Sequence, residues 1–280
     1  MMSQVGFMQG RLSPIVDGKI QSFPWDNWQN EIILAKKIGL NLMEWTLDQE
    51  RLYENPLMTL DGQKEILSLC KNYNFFIPSL TGDCFMQAPF WKASDQSDKD
   101  SLQEDFLAIL NSCSKVGIRF IVVPLVDNGS LSDQNQEDCL VEFLHEQEDK
   151  ISNLGIKIIF ESDFKPANLL RFISRLSKVN FGINYDIGNS SALGFNPVKE
   201  FQAIGNRIFN VHVKDRPLNG TTVPLGDGDA NFPLVFELLH SYNYSYNYIL
   251  QTARAKDGDH SSALSRYNRS VKNWMNNSGS

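Results

Sequence analysis

Four side chains in the second half of the chain suggest chemistry around a divalent cation: Glu161, Asp186, His212 and Gln251. Each closes a short, largely apolar run: Ile158-Ile159-Phe160 before Glu161, Ile183-Asn184-Tyr185 before Asp186, Ile208-Phe209-Asn210-Val211 before His212, and Tyr248-Ile249-Leu250 before Gln251. They recur at intervals of about 25 to 40 residues, the length of one strand-plus-helix unit, and in a parallel barrel such positions converge at one end of the sheet. Carboxylate oxygens with an imidazole nitrogen suit Mn²⁺, Mg²⁺, Co²⁺ or Zn²⁺. A carboxylate at the end of an apolar strand is costly without a partner, so ligation or ion pairing is expected. His145 lies in a helical stretch, His240 at a helix end and His260 in a polar loop. One histidine therefore remains for the site, which argues for a single ion over a multi-zinc cluster.

The elements that must position these side chains follow from periodicity. Short β-branched or aromatic runs at 4–8, 41–46, 75–80, 119–124, 156–161, 181–186, 208–213 and 247–252 alternate with amphipathic stretches at 26–38, 60–73, 98–116, 133–154, 166–178, 197–205, 231–241 and 260–275. Asp26 is placed as an N-cap, Gly39 as a C′ residue, Pro166 and Pro197 in first turns, and Gly117 and Gly155 as helix stops. Strands alternating with helices in this number predict an α/β fold, a (β/α)₈ TIM barrel spanning residues 1–280 as one domain. A doubly wound open sheet competes, but Gly6-Phe7-Met8-Gln9-Gly10 lacks the glycine-rich fingerprint of its first turn.

Composition narrows the function classes. The net charge of −7 disfavours broad nucleic-acid binding, which requires Lys and Arg to neutralise phosphates. No segment has the ~18–20 uninterrupted apolar residues of a membrane span. The opening Met1-Met2-Ser3-Gln4 lacks the basic region and apolar stretch of a signal peptide, so a cytoplasmic protein is expected. Cys70, Cys84, Cys113 and Cys139 are widely spaced and read as free thiols.

Several short motifs run the length of the chain: Gly6-Phe7-Met8-Gln9-Gly10-Arg11-Leu12, Leu42-Met43-Glu44-Trp45, Asp83-Cys84-Phe85-Met86, Phe160-Glu161-Ser162, Tyr185-Asp186-Ile187-Gly188-Asn189, His212-Val213-Lys214-Asp215 and Val223-Pro224-Leu225-Gly226-Asp227-Gly228-Asp229. In this order they resemble the xylose-isomerase-like TIM barrels, which include sugar and sugar-phosphate isomerases and 3-epimerases. The resemblance implies one divalent cation held by Glu, Asp, His and Glu from strands 5 to 8. Glu161, Asp186 and His212 match that set, and Gln251 stands where the second Glu is expected. Asn189 stands where many members have a substrate-contacting His. Dimers or tetramers are implied by resemblance alone.

The reaction then expected is isomerisation or epimerisation of a sugar or sugar phosphate through an enediolate, with Glu161 as the base. A metal-dependent dehydratase or lyase of a polyhydroxy acid, or a sugar-binding barrel that has lost catalysis, uses the same features. Gln251 cannot accept a proton as Glu does, which weakens a symmetrical two-carboxylate epimerisation and leaves Lys214 and Glu44 as substitute catalytic groups. Lys214 lies two residues after His212 and so on the same side of the strand; it either polarises a substrate oxygen or pairs with Asp215 or another rim acid. Glu44 either binds a sugar hydroxyl or pairs with Arg11. Arg11, Arg216 and Arg254 follow strand ends, as either anion-binding forks or solvated rim charges. Gln9, Asp83, Asn189 and Trp91 complete the candidate sugar contacts. Gly226-Asp227-Gly228-Asp229 is read as a tight turn near the substrate.

Overall fold

The computed structural model describes residues 4–278 except Asp17. Eight parallel strands close into a barrel in chain order: β1 (Val5–Met8), β2 (Leu42–Thr46), β3 (Phe76–Thr81), β4 (Phe120–Leu125), β5 (Lys157–Ser162), β6 (Phe181–Asp186), β7 (Ile208–Val213) and β8 (Tyr248–Leu250). The helical layer covers the outside of the barrel, so the strands are apolar on both faces and read as near-continuous hydrophobic runs. Gly6 lets β1 and β2 meet closely: a Cβ there would lie 2.1 Å from Leu42 Cδ2.

The outer layer comprises α1 (Trp28–Lys37), α2 (Leu60–Tyr73), α3 (Asp83–Gln87), α4 (Gln96–Val116), α5 (Gln134–Glu146), α6 (Glu148–Asn153), α7 (Pro166–Ser174), α8 (Ile187–Ala192), α9 (Pro197–Ile204), α10 (Phe232–Ser241) and α11 (His260–Asn277). The stretch expected as one helix over 133–154 is two, because the backbone breaks at Gln147 (φ −97°, ψ 0°). The helix from 166 ends at Ser174 rather than 178. The α1 N-cap is Asn27, not Asp26, and makes no side-chain capping bond. Gly117 and Gly155 adopt the positive φ expected of helix stops. Two short helices, α3 and α8, follow strand ends directly and were not signalled by periodicity. Asp186 itself caps α8, accepting a hydrogen bond from Asn189 N–H at 2.8 Å.

Two register shifts align the barrel's polar residues. Between β6 and β7 the pairing begins with Ile183 opposite Ile208 and then shifts by one, so Asp186 lies opposite His212. Between β2 and β3 a shift after Leu42 brings Ser79 opposite Glu44. An unshifted register would place Asp186 opposite Val211 and Glu44 opposite Pro78. Bulges of this kind re-aim side chains near functional sites.

All four cysteines are free. Among the described residues no helix is long and apolar enough to cross a membrane.

Candidate active site

The site forms at the C-terminal ends of the strands. Glu161 on β5, Asp186 on β6 and His212 on β7 each offer one donor atom, and these atoms lie within 4.8 Å of one another. Among the described residues this is the one such cluster of three or more. His212 Nδ1 lies 3.1 Å from Glu161 Oε2 and 3.9 Å from Asp186 Oδ2, so that nitrogen faces the carboxylates. Two buried oxygen donors and an imidazole nitrogen this close fit a hard divalent cation.

The other imidazole nitrogen is held from below. His212 Nε2 lies 2.7 Å from Glu44 Oε1, and both side chains are fully buried. Glu44 also accepts hydrogen bonds from Ser79 Oγ (2.6 Å), Thr81 Oγ1 and Asn210 Nδ2 (2.7 Å). A carboxylate on the far nitrogen fixes the tautomer and ring orientation of a ligating histidine. Burial favours the neutral acid, but His212, Ser79 and Thr81 outweigh it and hold the Glu44 carboxyl below its ordinary value. Burial alone would push His212 down. The Glu44 and Glu161 carboxylates override it and raise the imidazole to about 10.

Glu161 is oriented by two asparagines. Asn189 Nδ2 donates to Oε1 at 2.6 Å, and Asn184 Nδ2 donates to Oε2 at 2.9 Å. Burial again opposes ionisation, yet His212 and then Lys214 keep the Glu161 carboxyl below its ordinary value, so it is charged at neutral pH. Asn184 and Asn210 had no role in the sequence reading. They sit two residues before Asp186 and His212, hence on the same side of their strands. The detectable signal was a polar residue one strand repeat below Asp186 and below His212.

Above the cluster opens a cavity of about 580 Å³, whose wall includes Glu161, Asp83, Asn189, Lys214, Arg216 and Gln251. Ile20, Met86, Pro124, Val126 and Leu193 supply its apolar surface. Lys214 Nζ pairs with Asp186 Oδ2 at 2.9 Å, not with Asp215. Asp215 is fully buried and organises the next loop instead, accepting from the N–H groups of Gly226 (2.7 Å), Gly228 (3.1 Å) and Ala230 (3.2 Å). Gly228 is necessary there, since a Cβ would lie 2.2 Å from Asp215 Oδ1. The Gly226–Asp229 turn thus wraps Asp215 and does not line the cavity. Arg216 reaches the wall with Nη1 on Asn189 Oδ1 at 2.7 Å and Nε on Gly220 O at 2.9 Å. Burial pushes Asp83 up to about 7, against the hydrogen bond from Gln21.

Five of the candidate catalytic and sugar-contacting residues lie away from the cavity wall. Glu44 spends its carboxylate on the buried network, and the expected pair with Arg11 does not form. Arg11 donates to Thr252 O (2.9 Å) and Ile20 O (2.8 Å), tying the β1 and β8 loops together. Gln9 accepts from Thr46 N–H at 3.0 Å. Arg254 donates to Ser13 O at 2.5 Å. Trp91 is 4% exposed, donates its indole N–H to Gly129 O at 3.2 Å and packs on Phe90. Its ring is core, because the 3-10 turn that carries it folds back beneath α4 and α5.

A closed parallel barrel with a carboxylate–histidine cluster at its C-terminal end defines a metal-capable TIM barrel. The chain belongs to the xylose isomerase-like TIM barrel family, whose model matches residues 32–275. It is 26% identical over 237 residues to the L-ribulose-5-phosphate 3-epimerase UlaE of Salmonella heidelberg, across 80% of this chain and 81% of that protein. Its fold is similar to a xylose isomerase domain protein from Planctomyces limnophilus (TM-score 0.76, 16% identity, 100% of this chain and 99% of that one). It is also similar to a D-allulose 3-epimerase from Methylomonas sp. in complex with D-allulose (TM-score 0.73, 14% identity, 97% of each chain).

Proposed function

We propose that this protein is an isomerase or epimerase of a sugar or sugar phosphate that works through an enediolate, with Glu161, Asp186 and His212 holding one divalent cation. The observation that carries this reading is the clustering of those three donors within 4.8 Å, with Glu161 in the wall of the cavity, in a chain whose curated relatives include a sugar-phosphate epimerase. Bound there, a divalent cation supplies Lewis-acid stabilisation of the negative charge that develops on neighbouring sugar oxygens.

The side chains supply the rest. Glu161, kept ionised and aimed by Asn184 and Asn189, takes the proton from the carbon beside the carbonyl. Asn189 and Arg216 form a continuous hydrogen-bonding wall for hydroxyls or a phosphate. Asp83 faces the same space as a further hydroxyl partner. Met86, Val126 and Leu193 pack on sugar carbons and displace water from them. With Gln251 in place of a second carboxylate, the two faces of the sugar meet different groups, so the proton transfers are asymmetric.

The test is turnover of ketoses and ketose phosphates, including L-ribulose 5-phosphate and D-allulose, by chelator-stripped protein with Mn²⁺, Mg²⁺ or Co²⁺ restored. In D₂O an isomerase or epimerase yields a deuterated product of unchanged composition. Loss of a water mass would indicate a dehydratase instead, and binding without turnover would indicate a sugar-binding barrel. Glu161→Gln is expected to lower kcat by at least about 100-fold, the scale of losing a general base. Full turnover in that variant would remove Glu161 from the mechanism.

A further inference from the structure

We infer that Gln251 stands outside the ligand set and instead holds Lys214 against Asp186, making Lys214 the residue that limits how tightly the site binds a divalent cation. This rests on the metal reading above. Gln251 Oε1 accepts a hydrogen bond from Lys214 Nζ at 3.2 Å, and Gln251 Nε2 donates to Gln21 Oε1 at 2.9 Å. Gln21 is itself oriented, because its Nε2 donates to Asp83 Oδ2 at 2.8 Å. The amide at 251 therefore has a donor on one side and an acceptor on the other. Only an amide satisfies both; a glutamate would set an oxygen against Gln21 Oε1. The residue that departs from the family pattern is the one its neighbours require.

Lys214 is built into this position. Its side chain is 12% exposed, so its ammonium is no solvated rim charge. Its stem lies over Gly188, where a Cβ would come within 2.7 Å of Lys214 Cγ. The oxygen it holds, Asp186 Oδ2, is the one on the His212 side, while Oδ1 is taken by the Asn189 N–H. Lys214 and a bound cation thus compete for one carboxylate oxygen, and two positive charges on that oxygen repel in a poorly solvated site. The ammonium weakens metal binding, and Gln251 keeps it in place.

The experiment is Mn²⁺ titration of the chelator-stripped full-length protein by calorimetry and electron paramagnetic resonance, with thermal melts confirming that each variant is folded. Lys214→Met is expected to bind Mn²⁺ about tenfold more tightly than the unmodified protein, and Lys214→Arg, which keeps the charge, within threefold of it. Gln251→Ala is expected to bind as tightly or more tightly, since it frees the ammonium. A gain of threefold or less for Lys214→Met overturns the inference, as does a loss of more than threefold for Gln251→Ala, which would return Gln251 to the ligand set. Absence of Mn²⁺ binding in every folded protein, unmodified included, would overturn the metal reading and this inference together. That signature is distinct from either failure of the inference alone.

Discussion

Replacing Glu44 by glutamine separates a clamp on the proposed metal ligand His212 from a merely structural polar core. Each Glu44 oxygen accepts two hydrogen bonds: Oε1 from Thr81 and His212, Oε2 from Ser79 and Asn210. In the variant an NH₂ group must face one of these pairs. The Ser79 and Thr81 hydroxyls can rotate to accept from it. Asn210 is less free, because its Nδ2 also donates to Asn184 Oδ1 at 2.9 Å. If the NH₂ faces His212, the ring must accept through Nε2 and carry its proton on Nδ1, the nitrogen turned toward Glu161 and Asp186. The structural cost is then about one unsatisfied buried donor, roughly 1–3 kcal/mol. The cation loses affinity separately, because Nδ1 loses its lone pair or its fixed orientation. Loss of such a supporting carboxylate typically weakens metal binding by about 10–100-fold. Urea unfolding gives the first quantity and Mn²⁺ calorimetry the second. A Glu44→Gln protein that binds Mn²⁺ as tightly as the unmodified protein would refute the clamp, whatever its stability.

Two other expectations rest on separate parts of the structure. Because His212 keeps its proton up to about 10 in the metal-free protein, a cation must displace that proton, and apparent Mn²⁺ affinity should rise about tenfold per pH unit between 6 and 8. A pH-independent titration would show that His212 is already neutral or is no ligand. The same raised value gives the His212 pairing its full contribution to metal-free stability below its ordinary value of 6.5, lost progressively as pH climbs to about 10. Far from the site, Gly62→Ala would place a Cβ 2.2 Å from Pro56 O and 2.4 Å from Pro56 Cα, both backbone atoms. Overpacking of this kind costs about 1–3 kcal/mol, measurable as a lower urea midpoint, with Mn²⁺ affinity unchanged.

The alternation of apolar runs with amphipathic stretches was legible because a parallel barrel buries both faces of every strand, leaving a polar residue conspicuous where a strand ends. That is why Glu161, Asp186 and His212 stand out in the sequence. Arg11, Arg254 and Gln9 satisfied the same rule of following a strand end, yet they close the β1 and β8 loops, and the loop residue Trp91 fills the core. Distance along the chain does not say which way a loop residue turns. Glu44 was noticed for its position but not its partners, since those come from β3 and β7, far away in sequence.

By itself, then, the sequence determined the barrel, its strand order and the residue types at the cluster, because these follow from local periodicity and side-chain chemistry. Tertiary structure alone decided which of those residues meet. The one-residue shift after Ile183 sets Asp186 opposite His212, and the shift after Leu42 sets the Ser79 hydroxyl under Glu44. Because strand side chains alternate faces, a single slip in pairing would turn each of them the wrong way. The partners of the Gln251 amide, Lys214 and Gln21, likewise come from parts of the chain far from it in sequence.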